Sequence, residues 1–287
     1  MGPGSGTLED MVTSPSQILF LGDVDMAEEL VPWLASTAGG DVEVVCATRA
    51  DQRASHVLPK APIRYLGAVD RAETSALLRS LASQEIFVIT CYWPWLLSEE
   101  DLTHIGTRSL NFHPAPLPRD RGWYPHVHQI RTGSPAGVTL HRLEPEPDTG
   151  AIWAQRSVSL PFPLTAGEAR TILQREIVSL FRDQWWQIFR GEISTQEQVG
   201  DGSYHSKSSV ESLDFLGRDD VMTVEECVRA IAARNIGGRS FLKLAGDAGP
   251  RFVHIAFSEF GTGSDLTSEA DRGGVPSGTL PTEGGSE

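Results

Sequence analysis

The feature that most constrains this chain is a succession of short apolar runs, each followed by a segment with helical spacing. Ile18-Leu19-Phe20-Leu21 ends at Gly22 and leads into an apolar-periodic stretch from Ala27 to Ala35. Val42 to Ala47 and Ile63 to Leu66 supply two more runs, Arg71 to Ala82 carries its apolar residues on one face, and Glu85 to Thr90 is a further run. Runs of this kind alternating with helices predict βαβ units, hence an α/β fold with a mostly parallel sheet covered on both faces. Gly22 lacks the companion glycines of G-x-G-x-x-G, which excludes NAD and FAD as the expected ligand of the first turn.

Polar chemistry concentrates between Ser109 and Ala154. Asn111 and His113 sit two apart in a predicted strand, so their side chains share one side and Phe112 turns away. Further on, Asp148-Thr149-Gly150 places a carboxylate on a turn. An amide holds an oxyanion, an imidazole moves a proton near neutral pH, and a carboxylate orients that imidazole. Those parts suit acyl transfer without a covalent enzyme intermediate. No G-x-S-x-G elbow and no Cys-His protease motif offers a competing nucleophile. A histidine that merely finishes its strand would show the same spacing, so the pattern alone leaves both readings open.

Asn111-Phe112-His113, Leu117-Pro118, Arg121-Gly122, Gly137-Val138-Thr139 and Asp148-Thr149-Gly150, in that order, resemble the signature of the formyltransferases that use N10-formyltetrahydrofolate. Arg121 to Pro125 and Gly133 to Thr139 are similar to the branch that formylates amino groups on nucleotide-linked sugars, and Ala115-Pro116 depart from the serine and leucine of many relatives. The resemblance covers roughly Gln17 to Phe260 and thins in the C-terminal part. It implies a Rossmann-like formyltransferase core with a small C-terminal helix and hairpin region, N10-formyltetrahydrofolate as co-substrate, and Asn111, His113 and Asp148 as the catalytic set. It further implies a pterin pocket lined by Tyr92, Trp93, Trp95, Leu97, Leu143, Glu144 and Pro147. Arg121, Trp123, Tyr124, Tyr204, Lys207 and Arg234 are the implied contacts to the acceptor, and a homodimer is common in the family.

Several elements around these residues follow from pattern. Pro114 to Pro118 makes a stiff loop, Tyr124 to Arg131 reads as a helix, and Val138 to Leu143 and Gly150 to Leu160 read as strands. Thr165 to Arg190 shows long apolar periodicity with its tryptophans in the core. Thr223 reads as the N-cap of a helix reaching Arg234, and Phe241 to Leu244 with Arg251 to Phe257 as a hairpin pair. His126 and His128 diverge by about 200° on a helix, and neither H-E-x-x-H nor cysteine pairs are present, so no metal is expected. His104 and His141 read as ordinary surface or strand residues.

The expected organisation is a disordered or tag-like N-terminus over 1–16, a catalytic domain over 17–200, a small subdomain over 201–260 and a disordered tail over 261–287. Gly2-Pro3-Gly4-Ser5 resembles a cloning scar. The formal charge of −14 counts against a nucleic-acid acceptor. Three scattered cysteines and the lack of a signal peptide or a membrane-length apolar run predict a cytoplasmic protein. A nucleotide-linked amino sugar such as dTDP-4-amino-4,6-dideoxyglucose is the expected acceptor. The rival readings are a small amine such as hydroxyornithine or methionyl-tRNA as acceptor, and a folate-binding scaffold without activity.

Overall fold

In the computed structural model the described residues are 15–38, 42–49, 63–81, 85–247 and 249–258. The expectations for the N-terminus up to residue 14 and for the tail from 261 to 287 lie outside them. Strand β1 (Gln17–Gly22) is buried along its length, as an interior parallel strand must be. Asp23 caps helix α1 (Val24–Thr37), its carboxylate accepting from Met26 N at 3.0 Å. Such a cap is worth about 1 kcal/mol. Strands β2 (Glu43–Arg49) and β3 (Ile63–Val69), helix α2 (Arg71–Leu81) and strand β4 (Ile86–Cys91) complete the first half close to their expected bounds. Helix α3 (Glu99–Ile105) was hidden by the aromatic segment before it and starts in a reciprocal box between Ser98 and Asp101.

Strands β5 (Ser109–His113) and β6 (Arg121–Gly122), helix α4 (Pro125–Thr132), strands β7 (Ala136–His141) and β8 (Ile152–Val158) and the long helix α5 (Ala166–Phe189) follow. β7 stops two residues before its expected end. There the Arg142 carbonyl turns to accept from His141 Nδ1, and Leu143 N donates to Ser109 Oγ rather than to a ladder partner.

Seven strands form one sheet in the order β3-β2-β1-β4-β5-β7-β8. The pairs through β4 and β5 are parallel, while β5 with β7 and β7 with β8 are antiparallel. Alternation sorts the strand residues onto two faces. Ile18, Phe20, Phe87, Ile89, Leu110 and Phe112 join one cluster with α1 and α5; Leu19, Leu21, Val88, Leu97 and residues of α2 and α3 form the other. Phe112 lies tilted 4.9 Å from Phe181, and Trp185 is fully buried beside Phe87, as the periodicity of α5 required.

The C-terminal part is built from short pieces: β9 (Tyr204–His205), α6 (Lys207–Glu211), β10 (Phe215–Leu216), α7 (Val224–Ala233), β11 (Asn235–Ile236), β12 (Arg239–Ser240), β13 (Lys243–Leu244) and β14 (Arg251–Phe252). The expected cap at Thr223 is present as a full box with Glu226. The expected hairpin is the antiparallel pair β13 and β14, only two residues long, with β10 parallel to β13 on its other side. β9 pairs in parallel with β6, and the described residues up to Ile255 group into one unit. No helix among the described residues is long and apolar enough to cross a membrane.

Candidate active site

β4 and β5 end at the same edge of the sheet, where parallel pairing gives way to antiparallel. Leu110 and Phe112 face α5, so Asn111 and His113 face the opposite side, the one that carries Leu97. Asn111 Nδ2 lies 3.3 Å from Asp148 Oδ1 and 3.1 Å from His141 Nε2, and Thr90 Oγ1 donates to Asn111 Oδ1 at 2.7 Å. His113 Nδ1 is 3.5 Å from the same Asp148 oxygen. The amide, imidazole and carboxylate therefore converge.

Asp148 reaches the cluster from a left-handed residue (φ 56°), and its side chain is only 14% exposed. Its Oδ2 accepts from Gly122 N at 2.8 Å. Two residues on, a Cβ at Gly150 would stand 2.0 Å from the Arg142 carbonyl oxygen, so only glycine closes this turn. Burial by itself raises the carboxyl's pKa; His113, His141 and the Gly122 amide outweigh it and hold the group well below the usual carboxylate range. Asp148 is a carboxylate at any physiological pH.

His113 is 4% exposed, and its Nε2 lies 2.9 Å from the backbone carbonyl of Asp120. A carbonyl only accepts, so Nε2 carries the proton in the neutral ring and Nδ1 presents its lone pair. Burial pushes the imidazole pKa down, with His141 in the same direction, against the pull of Asp148 and Asp120. Burial favours the neutral ring, and the Asp148 carboxylate 3.5 Å from Nδ1 favours the charged one.

His141 corrects the expectation that it is an ordinary strand residue. It is 2% exposed, donates from Nδ1 to the Arg142 carbonyl at 2.7 Å, and sets Nε2 3.4 Å from Asp148 Oδ1. The antiparallel register pairs Asn111 with His141, which no local pattern reveals. Thr139, opposite His113, alternates with His141 on one side of β7, and that spacing was the available signal.

Around this centre the residues expected at the pterin divide by face. Trp93, Leu97 and Leu143 pack into one apolar cluster on the Asn111 side, and Trp95 meets Trp93 edge-on at 5.1 Å. Tyr92, left-handed at φ 55°, turns to the other face beneath Arg170, and burial raises its phenol pKa. Glu144 is exposed and Pro147 half-buried on the loop before Asp148. Of the expected acceptor contacts, Arg121 pairs with Tyr204 across β6 and β9, Trp123 lies 5.6 Å from Tyr124, and Lys207 Nζ stands 6.0 Å from the Trp123 ring. Trp123, Tyr124, Tyr204 and Lys207 are all exposed. Arg234 is not with them. It is 7% exposed, ion-paired to Asp214 and stacked on Phe241. Among the described residues no cluster of His, Cys, Asp or Glu is arranged to hold a metal.

Residues 40–176 match the family described as formyl transferase, a span that contains Asn111, His113 and Asp148. Over 201 residues the chain is 29% identical to the methionyl-tRNA formyltransferase of Methylobacterium nodulans, covering 66% of this chain and 64% of that protein. It is 28% identical over 156 residues to the dTDP-4-amino-4,6-dideoxyglucose formyltransferase of Mycobacterium bovis, covering 52% of this chain and 58% of that protein. The chain thus spans less than two thirds of the length of these relatives. Among solved structures it is similar to the formyltransferase PseJ from Anoxybacillus kamchatkensis in complex with UDP-4,6-dideoxy-4-formamido-L-AltNAc and tetrahydrofolate. That likeness has 26% identity and a TM-score of 0.51 over 68% of this chain and 88% of the other.

Proposed function

We propose that this protein transfers a formyl group from N10-formyltetrahydrofolate to the primary amine of a nucleotide-linked amino sugar, with a dTDP-4-amino-4,6-dideoxyhexose as first candidate. The observation that carries this reading is the convergence of Asn111, His113 and Asp148 on the sheet face that also bears Trp93, Leu97 and Leu143. The formyl donor supplies an electrophilic carbon, and that apolar wall suits its flat ring. As the amine attacks and the carbonyl oxygen takes on charge, Asn111 Nδ2 exchanges its 3.3 Å bond to Asp148 Oδ1 for one to that oxygen. His113 accepts the amine proton at Nδ1 and returns it to the nitrogen that leaves, so the C–N bond made and the C–N bond broken balance with no net proton. Asp148 stabilises the imidazolium between those two transfers.

Two observations support a nucleotide sugar over a tRNA. The exposed Trp123, Tyr124, Tyr204 and Lys207 adjoin Gly122, whose N–H holds Asp148, and offer stacking and charge at small-molecule scale. The net charge of −14 disfavours a polyanion. Arg234, committed to Asp214, is left out of the acceptor set. The free and buried Cys46 and Cys91 accord with a cytoplasmic enzyme.

The test is an acceptor screen by mass spectrometry with N10-formyltetrahydrofolate and, separately, dTDP-amino sugars, UDP-amino sugars, hydroxyornithine and methionyl-tRNA. The expected result is a product heavier by one CO on a nucleotide sugar, lost in His113→Ala. Formylation of methionyl-tRNA or hydroxyornithine alone would replace the acceptor. Folate binding without any product would discard the enzyme reading.

A further inference from the structure

One short segment, Asp120 to Gly122, holds both catalytic side chains. The Asp120 carbonyl accepts from His113 Nε2, and two residues later the Gly122 N–H donates to Asp148 Oδ2. β6 has β9 as its ladder partner, outside the seven-stranded sheet. It is held by residues 203–205, more than eighty positions along the chain: Arg121 N donates to the Ser203 carbonyl at 2.9 Å and Trp123 N to the His205 carbonyl at 2.8 Å. Side chains add to this. Asp120 N donates to Ser203 Oγ at 2.7 Å, and His205 Nε2 donates to Asp120 Oδ1 at 3.0 Å. The His205 ring is itself set in plane by His128 of α4, stacked at 3.5 Å and 10°.

Asp120 is left-handed at φ 56°, a conformation that an L residue keeps only when its surroundings hold it there. Its side chain is 9% exposed, and the bond to His205 crosses from β9 to the loop that ends β6's approach. Gly122 shows how close the two strands run, since a Cβ there would stand 2.4 Å from the His205 carbonyl oxygen.

From this we infer that His205, with Ser203, is a positioning residue for the catalytic pair: by clamping Asp120 it fixes the carbonyl that selects the Nε2–H form of His113. The clamp explains why the chemistry of β5 depends on a segment outside the strands that carry it. Nδ1 of His113 is available to the amine only while Nε2–H is occupied by Asp120. If the carbonyl withdraws, the proton is free to reside on Nδ1, and that ring can no longer act as a base there. The inference rests on the formyl-transfer reading for its kinetic consequence, but the tautomer itself does not depend on which substrate is used.

Two readouts on the full chain test it. In 15N-histidine-labelled protein, long-range 1H–15N spectra report a single Nε2–H form for His113 in the wild type and a mixture in His205→Ala. With the acceptor found in the screen, the same variant loses roughly 10- to 100-fold in kcat while the KM for the formyl donor stays within about twofold. The acid limb of its kcat profile moves to lower pH, because Asp148 and His141 still face His113 while the carbonyl that favoured its charged form has gone. His205→Gln, which keeps an amide donor at similar reach, restores most of the rate. An unchanged tautomer and an unchanged pH profile in His205→Ala overturn the inference, even if Tm falls. If that variant does not fold, Ser203→Ala removes the hydroxyl that holds Asp120 N and is judged by the same spectra. If no acceptor is formylated at all, the function is wrong, and the spectra still decide the clamp.

Discussion

Replacing Asp148 with asparagine keeps the shape of the loop, because the amide oxygen still accepts from Gly122 N, and removes one negative charge 3.5 Å from His113 Nδ1. At rest the loss is small, since burial keeps His113 neutral and no cation is stranded. The cost falls on the imidazolium that the proposed mechanism forms during reaction. At 3.5 Å and an effective dielectric of about 20, that attraction is worth about 4 to 5 kcal/mol, or roughly a thousandfold in rate. Because the stabilisation exists only once the proton has moved, it appears in kcat and hardly in folate affinity. Steady-state kinetics with the acceptor from the screen, and equilibrium titration with a folate analogue, separate the two. A kcat within about tenfold of wild type, with folate affinity intact, would refute the role given to Asp148.

Three further outcomes are expected. Asn111→Ala removes the amide that the proposed mechanism assigns to the developing oxyanion, and kcat is expected to fall by about 10²- to 10³-fold, measured under the same saturating conditions. Trp93→Ala opens the apolar wall on the Asn111 face and weakens folate-analogue binding by roughly 1 to 3 kcal/mol in calorimetry, whereas Tyr92→Phe, on the other face, leaves it unchanged. Burial lowers the His126 pKa from 6.5 to about 3, so the unfolded chain takes the proton first as pH falls. Stability is lost progressively between those two values, by about 2 kcal/mol from pH 6.5 to 5. Denaturant melts of wild type and His126→Phe at pH 7 and pH 5 isolate this contribution; equal pH slopes would dismiss it.

The fold was legible because its signals are local. β1, β2 and β4 are apolar runs that only a covered parallel sheet accepts, and α5 repeats its apolar residues over the full length of the helix. Asn111 and His113 were paired by strand alternation, and Asp148 by the turn that Gly150 permits. What escaped depends on contacts distant in sequence. His141 joins the site only through the register of β7 on β5, and Asp120 only through the carbonyl of a left-handed residue. His205 looked like one more polar residue at the start of a short region, because its partner is a strand of two residues. The pairing of Arg234, expected at the acceptor, with Asp214 inside the C-terminal part is a contact of the same distant kind.

The four non-glycine residues with positive φ among the described residues are Tyr92, Asp120, Tyr124 and Asp148, and each sits on a loop at the sheet edge where the site lies. The antiparallel pairing of β5 with β7 ties the polarity of the site to a single register. A one-residue slip of β7 on β5 would trade His141 for Leu140 opposite Asn111, sending a leucine among the polar groups and a histidine into the core. The alternation of β7 thus fixes its register from within, and the loop between α4 and β7 is left to absorb changes of length.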